Sequence, residues 1–180
     1  MGIGILVVDM INDFVTGKLG IKRAKGIIPN IRRLLEFARL RGIPVVYACD
    51  CHLRDDAELK LWGLHAMAGT EGAEAVPELS PREGDLLVKK NRYSPFFGTD
   101  LDRLLQDLKV TKLVLVGVST DICIQNTAAD AFYRGYEIVV PKDCVEAFTE
   151  EGHKRAIEYM EKVYGAQITT SDELIKTLEA

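Results

Sequence analysis

Hydrophobic positions along this chain alternate between the two periods that mark strand and helix. Ile5–Val8 is an unbroken aliphatic run, as in a strand buried on both faces. Ile28, Ile31, Leu34, Leu35 and Ala38 form one stripe, which predicts a helix over Ile27–Arg41. Pro44–Ala48 reads as the second strand and Leu86–Val88 as a short third. Leu101, Leu104, Leu105 and Leu108 mark a helix with Thr99 or Asp100 as its cap. Leu113–Val118 is the most hydrophobic strand, followed by a helix over Asp121–Tyr133 that Gly135 ends. Ile138–Val140 and Gln167–Thr169 read as strands, Glu150–Val163 as a helix, and Asp172–Leu178 as a last helix capped by Ser171.

Six strands alternating with helices predict a three-layer α/β/α, Rossmann-like fold with a mainly parallel sheet, one domain over residues 1–180. The stretch from Cys49 to Asp85 breaks the rhythm. It is polar and Gly-rich and carries two of the three histidines. A loop this long in a compact domain is functional or disordered.

Composition narrows the class. Hydrophobic residues make up 47% of the chain and charged residues 28%, as in an ordinary soluble protein. A net charge of -4 gives no pull toward nucleic acid or an anionic membrane. No apolar run reaches the length of a membrane span. The first residues lack a basic segment and run straight into a strand, so they read as the start of a cytoplasmic protein, not a signal peptide. The four cysteines, Cys49, Cys51, Cys123 and Cys144, are too few for a disulfide framework.

Ligands of open α/β sheets bind at the carboxyl ends of the strands, by a topological switch point. The polar residues directly after strands are therefore the candidates. Asp9 follows the first strand, Asp50 and His52 the second, Lys89 and Lys90 the third, and Ser119 to Cys123 the fourth. In the common strand order 3-2-1-4-5-6, the first and fourth strands are neighbours, and Asp9 and Cys123 face each other. Lys90 has to reach in from farther along the edge. A thiol in the first turn of a helix sits near unpaired N–H groups and a positive dipole end, which favour thiolate and can hold an oxyanion. The plain alternative is a buried cysteine packing one helix face. Asp9 could accept the thiol proton, and Lys90 could hold Asp9 and stabilise negative charge; the plain alternatives are a structural carboxylate and a solvated lysine. Asp50, His52 and His65 form a second group with donors that suit Zn, Fe or Mn, or else a polar loop with unrelated histidines. His153 sits on a polar helix face and reads as solvated. No nucleotide-binding glycine motif occurs.

Three segments carry a resemblance. They are Val7-Val-Asp-Met-Ile-Asn-Asp-Phe14, Lys90-Asn-Arg-Tyr-Ser-Pro-Phe-Phe-Gly-Thr-Asp-Leu101, and Gly117-Val-Ser-Thr-Asp-Ile-Cys123 with Thr127–Ala131 and Gly135-Tyr136 behind it. In this order they resemble the isochorismatase-like cysteine hydrolases, and within them the nicotinamidases, over nearly the whole length. The resemblance implies an Asp9–Lys90–Cys123 triad that opens an amide through a thioester. It implies an oxyanion hole from the backbone N–H groups of Ser119 and Cys123, beside a cis peptide at Val118–Ser119. It implies a divalent metal, zinc first and iron or manganese after it, on Asp50, His52 and His65. Trp62 and Phe14 match pocket aromatics, which implies a small aromatic amide as substrate, and self-association into dimers or tetramers is implied too. True isochorismatases lack the cysteine, so Cys123 argues against that activity.

The pattern also departs from the nicotinamidases. The metal loop is shorter than in many of them. The usual Trp-Pro-x-His-Cys becomes Trp62-Gly-Leu-His-Ala66, and Cys51 replaces an aromatic. Glu58 stands where some relatives place another histidine, and could join the metal shell. Nicotinamide deamidation is the first expectation. An N-carbamoylsarcosine amidase or another carbamoyl or ureido hydrolase is the second, with Arg54 or Arg92 as the loop candidates for a substrate carboxylate. A binding protein without turnover on the same fold is the third.

Overall fold

The computed structural model describes residues 2–179. The chain runs β1 (Gly2–Val8), α1 (Asn12–Val15), α2 (Ala24–Leu40), β2 (Val45–Asp50), α3 (Leu59–Trp62), β3 (Leu86–Lys90), α4 (Leu101–Asp107) and β4 (Val110–Val118). A π-helical turn over Thr120–Ile124 leads into α5 (Gln125–Tyr133). Then follow β5 (Glu137–Pro141), β6 (Val145–Glu146), α6 (Glu150–Tyr164), β7 (Gln167–Thr169) and α7 (Ser171–Glu179).

The sheet order is β3-β2-β1-β4-β5-β7, and every pairing is parallel. This is the order expected from the sequence, with the last predicted strand now numbered β7. Among the described residues the sheet has seven strands rather than six, because β6 adds a two-residue pairing with the end of β4. Two residues are too few to give a readable period.

The continuous aliphatic runs have the expected cause. Leu6, Val7 and Val8 are wholly buried, because β1 is central and helices cover both faces. Ile5, Val7, Tyr47, Val114 and Val116 pack on one side with α2, and Leu6, Val8, Val46 and Leu115 on the other with α4 and α5. Among the described residues no helix is long and apolar enough to cross a membrane.

Two local expectations change, and one open alternative narrows. The last helix is capped by Thr170, whose Oγ1 accepts from the Glu173 N–H at 3.3 Å. Ser171 instead donates its hydroxyl to Asp143 at 2.6 Å. The long segment after β2 is ordered: α3 and two short 3-10 turns punctuate it, and Ile11 and Ala75 form an antiparallel bridge. His153 is not a solvated side chain. It is largely covered, and its Nδ1 lies 3.0 Å from Thr120 Oγ1.

β1 and β4 lie close at their carboxyl ends. Gly117 takes φ +118, and a Cβ there would lie 1.9 Å from the Val8 carbonyl oxygen, so only glycine fits. The next bond but one, Val118–Ser119, is cis.

Candidate active site

Asp9 closes β1 with φ +53, a left-handed conformation that aspartate tolerates better than most side chains. Its N–H donates to the Ala48 carbonyl at 2.9 Å, and its Oδ1 accepts from the Asp50 N–H at 2.8 Å. The carboxylate is thereby fixed across the ends of β1 and β2. Lys90, at the end of β3, is fully buried and reaches over β2. Its Nζ lies 2.7 Å from Asp9 Oδ2, 2.5 Å from Asp50 Oδ1 and 3.8 Å from Cys123 Sγ. The ammonium meets Asp9 Oδ2 as an ion pair, off the axis of a good hydrogen bond. Asp9, Lys90 and Cys123 therefore converge at the switch point, as the strand order requires.

Electrostatics in this buried cluster follow from desolvation and charge. Burial pulls the Lys90 ammonium down, but Asp50 and Asp9 outweigh it and hold its pKa well above the ordinary value. Burial, with the Asp50 carboxylate beside it, pushes Asp9 up to about 7 against the pull of Lys90. Burial also pushes the Cys123 thiol well up, more than Lys90 lowers it. Burial thus works against the thiolate that a helix start favours. The thiol sits beside a carboxyl that is itself raised to about 7.

Asp50, His52 and His65 each offer an atom within 4.8 Å of the others, and all three residues are buried. His52 Nδ1 lies 3.2 Å from Asp56 Oδ2, and His65 Nδ1 lies 2.8 Å from the Gly63 carbonyl. An acceptor at each Nδ1 fixes the proton there and leaves both Nε2 lone pairs free. His52 Nε2 is buried without a hydrogen-bond partner, 3.5 Å from Asp50 Oδ2 and 3.9 Å from Glu58 Oε2. A buried orphan nitrogen between carboxylates is costly unless a cation or proton sits there. The donor set fits a divalent metal. Burial lowers the His65 pKa, which keeps it in the neutral, ligating form. Asp13 holds the loop from beneath, its Oδ2 accepting the Ala66 N–H at 2.7 Å.

A pocket of about 310 Å³, open solvent at its mouth included, joins the two groups. Phe14, Trp62, Asp50, His65, Ser119 and Cys123 line it, as the sequence leads one to expect. So do four residues that sequence reasoning did not single out: Leu19, Tyr93, Ile122 and Phe148. The Trp62 Nε1–H donates to the Tyr93 hydroxyl at 3.0 Å. Phe148 stacks on Trp62 with centroids 5.9 Å apart and planes 7° apart. Tyr93 sits inside the recognisable Lys90 segment. Phe148 follows the unread β6, and nothing in its surroundings marked it. No arginine is among the lining residues. Arg54 is exposed, and Arg92 pairs with Asp56 at 3.6 Å.

Residues 4–173 match the isochorismatase domain, and the chain belongs to the isochorismatase family. The N-carbamoylsarcosine amidase of Thermoplasma acidophilum is a close structural neighbour, with 41% identity, TM-score 0.90, and 96% of this chain and 98% of that one covered. The nicotinamidase PncA of Bacillus subtilis superimposes with TM-score 0.90 at 35% identity, over 94% of this chain and 99% of that one. A protein of Arabidopsis thaliana described as a probable inactive nicotinamidase is 37% identical over 88% of each chain. The family's members include hydrolases of C–N amide bonds, and this chain is a hydrolase of that class.

Proposed function

We propose that the protein is a metal-assisted nicotinamidase that converts nicotinamide and water to nicotinate and ammonia. Asp9 takes the Cys123 thiol proton, and the sulfur attacks the amide carbonyl. The backbone N–H groups of Ser119 and Cys123 hold the oxyanion. Asp9 then gives its proton to the departing nitrogen, which leaves as ammonia and a thioester on Cys123. Water, deprotonated by Asp9, attacks that thioester, and the proton returns to the thiol. Lys90 keeps Asp9 and Asp50 in place and offsets negative charge through both steps. A metal held by Asp50, His52 and His65 would supply a Lewis-acidic grip on the ring nitrogen of the substrate. Zinc suits two imidazoles and a carboxylate, and iron or manganese would be accepted by the same donors. Glu58, 3.9 Å from His52 Nε2, stands close enough to join that shell. Self-association into a dimer or tetramer, and a cytoplasmic setting, belong to the same reading.

One observation carries the choice of substrate. The pocket puts a metal-type donor group and an aromatic wall of Phe14, Trp62, Tyr93 and Phe148 around one thiol, with no arginine to meet a carboxylate. A neutral heteroaromatic amide matches that chemistry. A second reading, a carbamoyl-acid amidase, is favoured by the likeness to the Thermoplasma acidophilum amidase, and in it Arg92 would have to leave Asp56. Ammonia release decides between them, measured with nicotinamide, pyrazinamide and N-carbamoyl acids, with chelator and with zinc restored. Chelator-sensitive turnover of nicotinamide supports the first reading. Chelator-insensitive turnover of N-carbamoyl acids alone overturns it.

A further inference from the structure

Ser119 to Cys123 is the part of the site on which the chemistry turns, and one helix outside the site holds it. The first turn of α6 docks there by two contacts. Gly152 packs so tightly that a Cβ on it would lie 2.5 Å from Asp121 Oδ2. His153, one residue on, brings Nδ1 to 3.0 Å from the Thr120 hydroxyl. Thr120 is wholly buried and opens the π-helical turn that presents Cys123. Glu146 Oε1 lies 3.9 Å from the same Nδ1, and Arg23 grips that carboxylate through Oε2 at 3.0 Å. The Glu146 Oε1 also accepts the Ala147 N–H at 3.0 Å. The histidine is thus braced from β6 and from the start of α2, and its one close bond goes to the nucleophile turn.

The π turn is closed from within by the Ser119 carbonyl, which accepts Ile122 and Ile124 N–H at 3.1 Å, by the Gln125 N–H on the Thr120 carbonyl, and by the Ser119 hydroxyl on Asp121 Oδ1 at 2.5 Å. Such a turn keeps its shape only if the surrounding structure holds it. We propose that His153 is a positioning residue for the nucleophile, fixing the Ser119–Cys123 turn through the Thr120 hydroxyl so that the thiol faces Asp9. The inference rests on Cys123 being the nucleophile, and not on the identity of the amide.

Three variants of the full chain test it: His153→Leu, His153→Asn and Thr120→Val. The asparagine amide reaches the place of the imidazole Nδ1; leucine fills the space without a bond. The first readout is the rate at which iodoacetamide alkylates Cys123, followed on its own peptide by mass spectrometry. It needs no substrate. The second is kcat and KM on the amide that the wild type turns over. His153→Leu and Thr120→Val should each slow alkylation and kcat by about tenfold, with KM within about twofold. His153→Asn should restore most of the loss, and the double variant His153→Leu, Thr120→Val should be no worse than either single one. Wild-type rates in His153→Leu, equal losses in the asparagine and leucine variants, or losses that multiply in the double variant would each overturn the proposal. A wild type that releases no ammonia, yet whose Cys123 alkylation depends on His153 in this way, sinks the amidase reading and leaves the positioning role standing.

Discussion

Lys90 Nζ donates to Asp50 Oδ1 at 2.5 Å, so the lysine of the proposed triad and a carboxylate of the metal-type group share one buried ion pair. Asp50 faces the other way as well, with Oδ2 3.5 Å from His52 Nε2. One carboxylate thus couples two halves of the site that the sequence presents as separate motifs.

That coupling separates two substitutions. His65→Ala removes a metal donor without touching Lys90. It should lower bound metal at least about tenfold and raise KM, while Cys123 alkylation stays near the wild-type rate. Asp50→Asn should lower both, because it also strips Lys90 of a charge partner. Metal content by mass spectrometry and the alkylation rate read the two effects side by side. Equal alkylation rates in the two variants would contradict the coupling.

The Asp9 carboxyl, raised from 3.8 to about 7 chiefly by burial, gives opposite pH slopes for activity and stability. As the base, Asp9 must be ionised, so kcat/KM should rise with pH through about 7. The folded protein binds the Asp9 proton more tightly than the unfolded chain does. Its contribution to stability is therefore full below pH 3.8 and is lost as pH rises through about 7. Asp9→Asn should abolish turnover and flatten that fall. Denaturant titrations from pH 4 to 8 on both proteins check the sign. A loss of stability with the same slope in the asparagine variant would assign it to other groups.

Phe148 stacks on Trp62 and lines the pocket. Phe148→Ala should raise KM for an aromatic amide by about fivefold, since an aromatic pair is worth about 1 kcal/mol. The effect on kcat should stay within about twofold if the ring only helps to hold substrate. A collapse of kcat with KM unchanged would move Phe148 into the chemistry.

Gly117 is the point where β1 and β4 close the sheet beneath the site. Gly117→Ala puts a methyl group 1.9 Å from the Val8 carbonyl oxygen at a φ of +118. The strands must part or the residue must twist, at a cost of at least about 3 kcal/mol. Equilibrium unfolding should show that loss, and a variant as stable as the wild type would refute the close approach.

The sheet was legible because its buried strands are unbroken aliphatic runs and its helices carry one-sided stripes. Asp9 and Cys123 could be paired from topology alone, since each ends a strand at the switch point. β6 and Phe148 were not legible: a two-residue strand has no period, and a lone phenylalanine after it looks like any other. The burial of the Cys123 thiol was not legible either. A sequence shows a helix start and its dipole, but not the burial that raises the thiol pKa against them. His153 was misread likewise, because its partner Thr120 is 33 residues away in sequence.

The central claim is that Cys123 attacks a neutral aromatic amide. Ammonia release from nicotinamide by the zinc-loaded wild type, against Cys123→Ala loaded in the same way, tests it most directly. Turnover by the wild type and a loss of at least about a thousandfold in the alanine variant is the predicted result. Nicotinamide turnover that survives the substitution within about tenfold, or a zinc-loaded wild type that leaves nicotinamide intact, would contradict it.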